Sequence, residues 1–198
     1  MRSTAIAALV ACGGSSPSAP PPQQPAASAW QVPVGWKLEV IPFPLEFAPS
    51  LAHRGVEELR FPPGFLDAKS DNYWSYAFVW RLEDAAELDA AAVGAELTAY
   101  FRGLLVAVDG DKHRVDAAAI TAVAKPAPSL PNGAFAIEAH VLDAFGDARP
   151  VALYGLAQRI ACKSGSVWRF SISRDGSPLH ATLDTLAAEA ACDQPVAK

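Results

Sequence analysis

Between Asn72 and Glu83 the chain alternates without a break, with Trp74, Tyr76, Phe78, Trp80 and Leu82 on one side and Ser75, Ala77, Val79 and Arg81 on the other. Strand side chains point to opposite faces with a period of two, so this stretch reads as a strand with one aromatic face. Aromatic side chains at that density need a partner layer, and the following segment supplies one. From Asp89 the period lengthens, and Val93, Leu97, Tyr100, Phe101, Leu104, Leu105 and Val108 fall on one helical stripe. Asp89 is placed as an N-cap, Leu88 and Val93 as a hydrophobic staple, and Gly110 as the stop. An aromatic strand face meeting an apolar helix is the start of an α+β core.

Further elements surround this pair. Trp36, Leu38 and Val40 alternate with Lys37 and Glu39 as a half-buried strand, and Val56 to Phe61 is a second, closed by Pro62-Pro63-Gly64. Pro42, Pro44 and Pro49 confine the stretch between them to loop or sheet edge. Ala118 to Ala124 reads as a modest strand, and Phe135, Ile137, Ala139 and Val141 share one face of the next. Val151 to Cys162 and Val167 to Arg174 follow, joined by the turn Lys163-Ser164-Gly165-Ser166, with Trp168, Phe170 and Ile172 facing inward. Ser177-Pro178 supplies a cap and first-turn proline for a terminal helix that buries Leu179, Leu183, Leu186, Ala187 and Ala190. The order is βββ-α-ββββ-α. Short links between consecutive strands imply a mainly antiparallel sheet of about six to seven strands with two helices packed on it, an α+β fold. This order of elements is similar to that of the PsbP/Mog1-like sandwich. A chain of 198 residues suits one core, expected over residues 32–192, with 193–198 a disordered tail.

The N-terminal segment has a different composition. Residues 1–11 read as a signal peptide, with Arg2 followed by the small apolar run Ala5 to Val10. Leu9-Val10-Ala11-Cys12, followed by Gly13-Gly14-Ser15-Ser16, resembles the lipobox of bacterial lipoproteins. The resemblance implies that cleavage leaves Cys12 as the lipid-bearing first residue, anchored in a membrane by its acyl chains. Gly13, in place of the aspartate that retains enterobacterial lipoproteins at the inner membrane, implies an outer-membrane location facing the periplasm. Residues 12–31 then form a tether, in which Pro17, Pro20, Pro21, Pro22 and Pro25 favour extended polyproline geometry. With Cys12 lipidated, Cys162 and Cys192 remain as an even pair for a disulfide in an oxidising compartment, two buried free thiols being the alternative. Neither has a partner at metal-ligand spacing, and no metal or cofactor is expected.

Charge and composition exclude several classes. Sixteen Lys+Arg against 21 Asp+Glu give a net charge of −5 with no basic cluster, which argues against nucleic acid as a partner. A hydrophobic fraction of 51% is too high for a disordered chain, and no uninterrupted apolar run is expected to span a bilayer. Nucleophile-elbow, phosphate-loop, dinucleotide-glycine and zinc-peptidase motifs are all missing from the sequence.

The remaining candidates are few. Glu138 and His140 stand at i and i+2 on a strand face, where a carboxylate could orient an imidazole as an acid–base dyad. The same spacing describes a solvent-facing charged row, the preferred reading because no third member is identifiable. Asp109-Gly110-Asp111-Lys112-His113 has the composition of a cation loop but lacks the glycine and glutamate an EF-hand needs, Arg114 and Ile120 standing there instead. Trp74, Tyr76 and Trp80 could stack on sugar rings, or, as preferred, form core beneath the helix. Arg60, Arg81, Arg159 and Arg169 could converge on an anion, or pair across strands with Glu39, Glu58 and Glu138. Glu57-Glu58 reads as a solvated edge.

Together these point to a membrane-anchored envelope lipoprotein that is a non-catalytic binding or structural module with a protein or glycan partner. The alternatives are a small periplasmic enzyme using Glu138 and His140, and a carrier with a cavity between sheet and helix near Trp80 and Phe101.

Overall fold

The computed structural model describes residues 29–85, 87–109, 112, 116–130 and 133–197. The signal segment, Cys12, most of the tether and the greater part of the 109–113 loop lie outside the described residues.

Seven strands form one antiparallel sheet. They are β1 (Lys37–Phe43), β2 (Gly55–Phe61), β3 (Tyr76–Leu82), β4 (Thr121–Pro126), β5 (Phe135–Leu142), β6 (Pro150–Ala161) and β7 (Ser166–Arg174), in spatial order β1-β2-β3-β7-β6-β5-β4. Helix α1 (Ala90–Asp109) joins β3 to β4, and α2 (His180–Ala188) follows β7. The α+β class, the strand count and the βββ-α-ββββ-α order all match the expectation. β1 and β4 are the two edges, which is why Pro42 and Pro126 are accommodated within strands: a missing N–H can face outward there.

The helices lie on opposite faces. On the α1 face, Tyr76, Phe78 and Trp80 of β3 and Trp168, Phe170 and Ile172 of β7 pack with Leu97, Tyr100 and Phe101. The Phe78 ring stacks on Phe170 at 4.4 Å and on Tyr100 at 5.5 Å. On the α2 face, Ala77, Val79 and Val167 meet Trp30, Leu183, Leu186 and Ala187. β3 is therefore covered on both sides. Asp89 caps α1 as expected, its Oδ1 accepting the Ala92 N–H at 2.8 Å.

α1 reaches both ends of the sheet. Near its start Thr98 Oγ1 accepts from the Ala122 N–H of edge strand β4. Further along, Gly103 sits so close to the chain after β1 that a Cβ would stand 1.8 Å from the Phe47 carbonyl oxygen. Only glycine permits that approach, and it sets how α1 spans the curled sheet. By length and composition this 20-residue helix could cross a membrane, contrary to the expectation of no such stretch. In the fold, Val93, Leu97, Tyr100, Phe101 and Leu105 are buried against the sheet. Leu104 is half-buried and Val108 exposed, so the expected stripe loses its cover at the C-terminal turns.

Several boundaries differ from expectation. Trp74 precedes β3 in a turn, with a left-handed φ of 57°. Its indole Nε1 donates to Asp143 Oδ1 at 2.9 Å, as does the Tyr73 hydroxyl at 2.5 Å, and this buried acceptor holds the turn. Residues 117–119 form a 3-10 turn rather than strand. α2 begins at His180, and the Ser177 hydroxyl accepts from the Leu179 N–H within the preceding turn instead of capping the helix. In β1 the expected faces are exchanged: Ile41 and Phe43 join the α1-face core, while Leu38 and Val40 are half-exposed on the other side. The folded body also extends beyond 32–192. Trp30 is fully buried, and in the segment expected to be disordered Gln194 and Ala197 hydrogen-bond to Arg81 and Glu58.

Candidate functional site

Glu57 and Glu58, expected on a solvated edge, are both fully buried. β2 lies inside the sheet with a layer on each side, so consecutive side chains enter opposite cores. Glu58 faces α2. Its Oε1 accepts from Arg81 Nε at 2.6 Å, and its Oε2 accepts from Arg60 Nη2 at 3.2 Å and from the Ala197 N–H at 3.3 Å.

The pairing expectation thus holds at Glu58, which takes Arg81 across the strands and Arg60 on its own strand. Glu58 is a partner, but Glu39 and Glu138 are not. Arg81 also donates to the Ala191 carbonyl, Arg169 to the Ala190 carbonyl, and Arg60 to the carbonyls of Trp30 and Gln31. Arg81 and Arg169 satisfy the chain just beyond the C-terminus of α2, where carbonyls lack helical partners and cations are favoured. Arg60 is also stacked over the Trp30 ring, 4.1 Å from its centroid. Arg159 pairs with Glu87 and the Ala85 carbonyl, well apart from these. No anion site arises from this set.

Glu57 faces α1. Its Oε1 accepts from Trp80 Nε1 at 3.0 Å, while Oε2 has no hydrogen-bond partner. Burial without a cation pushes its carboxyl up to about 8, with Glu39 adding to the effect. The Tyr76 hydroxyl is likewise buried and unpartnered. Tyr100 is close enough to interact with both groups but completes no hydrogen bond to Glu57 Oε2 or the Tyr76 hydroxyl. Burial and the Glu57 charge raise both phenols above their ordinary range. At neutral pH two phenols stand on this inner wall with an uncharged carboxyl behind them.

Tyr76 and Tyr100 open onto a cleft of about 890 Å³. Leu59, Phe61 and Tyr76 form the sheet side, and Tyr100 and Leu104 the helix side. The loop 62–67 and the exposed Leu66 and Val108 make the rim, joined by Lys37 and Glu39 of edge strand β1. The cleft exists where the apolar stripe of α1 outruns the sheet. A cavity between sheet and helix was expected near Trp80 and Phe101. Both are instead packed core, and the space lies one to two helical turns further along.

The other sequence candidates sit elsewhere. Trp74, Tyr76 and Trp80 are each at most 2% exposed, so they are no open platform for sugars, although Trp74 and Tyr76 contribute to the cleft wall. Glu138 and His140 do meet, Oε1 to Nε2 at 3.1 Å, but on the solvent side of β5, with Lys125 4.0 Å from the carboxylate. Their side chains are 40% and 58% exposed, and neither lines the cleft, as expected of a charged row. Among the described residues no group of His, Cys, Asp and Glu could hold a metal.

Cys162 and Cys192 form a disulfide with Cα atoms 5.5 Å apart, tying the end of β6 to the chain beyond α2. His53 was not singled out by sequence, yet it bridges Glu96 of α1 at 3.0 Å and Asp84 at 3.4 Å, and these carboxylates raise its pKa. Its partners lie 43 and 31 residues away, beyond the reach of any local pattern.

No protein-family model, curated protein or solved structure matches this chain.

Proposed function

We propose that the chain is an envelope lipoprotein, anchored through Cys12, whose folded domain is a non-catalytic binding module for a small apolar ligand. The observation that carries the binding part is the cleft between α1 and the β1–β3 end of the sheet. It is concave, of the size that holds small ligands, and lined mainly by aliphatic and aromatic side chains. The motif at Leu9–Cys12 and the proline-rich residues behind it support the anchor, and the disulfide is consistent with an oxidising compartment. At about 3 Å per residue, the 18 positions from Cys12 to Trp30 would let the domain stand roughly 50 Å from a bilayer.

The test of the cleft uses the uncharged fluorophore N-phenyl-1-naphthylamine with the folded domain. Saturable binding that is weakened by Leu104→Trp, which fills the helix side of the wall, is the expected result. Absence of saturable binding, or binding indifferent to Leu104→Trp, removes the reading. The anchor is tested separately by fatty-acid labelling of the full chain against Cys12→Ser.

A further inference from the structure

We propose that the cleft selects ligands carrying an uncharged hydroxyl on an otherwise apolar body, with the Tyr76–Tyr100 part of its wall as the recognition surface and Glu57 behind it. This rests on the cleft being the ligand site and goes further by naming the chemistry it takes.

Three observations support it. First, two buried polar atoms, the Tyr76 hydroxyl of the cleft wall and Glu57 Oε2 behind it, complete no hydrogen bond within the protein, although Tyr100 lies within interaction range of both. Buried polar groups are almost always paired, because leaving one unmatched costs roughly 1–3 kcal/mol. Two together next to an apolar cleft mark where a ligand's polar group belongs.

Second, the wall has no fixed cation. Glu57 touches Trp80 and is influenced by Glu39, Tyr76 and Tyr100. Lys37, the one lysine on the cleft, stands at its rim on β1. A ligand carboxylate pushed to this depth would have the Glu57 carboxyl behind the wall and no counter-ion. An ammonium would gain a counter-ion only if Glu57 released its proton to solvent, which burial resists.

Third, a hydroxyl suits what is present. It donates and accepts, as the Tyr76 phenol does, and a neutral carboxyl does both as well. A single alcohol can therefore satisfy this wall without moving a charge.

The experiment displaces N-phenyl-1-naphthylamine at pH 7 with 1-decanol, decanoate or decylamine, which share a chain and differ in head group. Decanol should displace the probe at a concentration roughly tenfold lower than either charged analogue. Tyr76→Phe keeps the ring and removes only an unpartnered hydroxyl, so the variant should lose the preference for decanol, read as the ratio of the three displacement concentrations on that variant. Equal displacement by all three, a preference for either charged analogue, or a decanol preference that survives Tyr76→Phe overturns the proposal but leaves the cleft reading standing. Failure of the probe itself to bind overturns the cleft reading and this proposal with it. If Tyr76→Phe does not fold, the order of the three ligands on the natural protein still decides the matter.

Discussion

Glu57 and Glu58 are adjacent in sequence, equally buried and opposite in circumstance. On the α2 face Glu58 is saturated: two arginines and a backbone N–H account for its oxygens, and one of them, Arg81, also ties down the chain beyond the helix. On the α1 face Glu57 has one indole partner and one bare oxygen, with an open cleft nearby. The first arrangement is closed and needs nothing from outside. The second is incomplete, and the same sheet holds both. Two neighbouring carboxyls of one strand can thus serve different ends, one fastening the chain termini to the sheet and the other leaving a polar place in an apolar wall.

The contrast can be broken most forcefully at Glu58. Glu58→Met leaves Arg60 and Arg81 buried without their anion, and should lower unfolding stability by about 3–5 kcal/mol, read as a fall in the urea midpoint. Opening the disulfide by Cys162→Ser with Cys192→Ser loosens the same face, and should cost about 3–4 kcal/mol for the 30-residue separation it closes.

Glu57→Gln should behave in the opposite way. Burial raises this carboxyl to about 8 from an ordinary value of 4.5, so the native state holds the proton more tightly than the unfolded chain. Stability associated with this group is complete below about pH 4.5 and is lost as pH rises through 8, on the order of 4 kcal/mol by pH 8. The glutamine variant should flatten the decline and be the more stable protein at pH 8. His53, with its pKa raised by Glu96 and Asp84, falls in the same direction, its stabilisation disappearing as pH climbs past its folded value. A slope that persists in Glu57→Gln and vanishes in His53→Gln would assign the whole effect to the histidine. Smallest of all is Glu138→Gln on the exposed β5 face, expected to stay within about 0.5 kcal/mol by thermal unfolding.

Periodicity made the elements legible. The β3 alternation, the α1 stripe, the inward face of β7 and the buried face of α2 could be read from spacing alone, as could the even pair Cys162 and Cys192. Double cover was not legible. A charged dipeptide in a short strand looks the same at an edge as between two layers, and only the sheet order places β2 inside. The arginines were legible only in part, for a related reason: their main acceptors are backbone carbonyls, which carry no sequence signature. The cleft was anticipated as a type of site but placed too near the start of α1, because its position depends on how far the sheet extends beneath the helix.

The Trp30 latch has a mechanical consequence. Its indole donates to the Leu186 carbonyl, and Arg60 of β2 grips its backbone carbonyl and that of Gln31. Tension arriving along the N-terminal chain is therefore delivered to the interior of the sheet through a guanidinium, on the side away from α1. The latch would have to shear before a load from this end of the chain reached the helix that roofs the cleft.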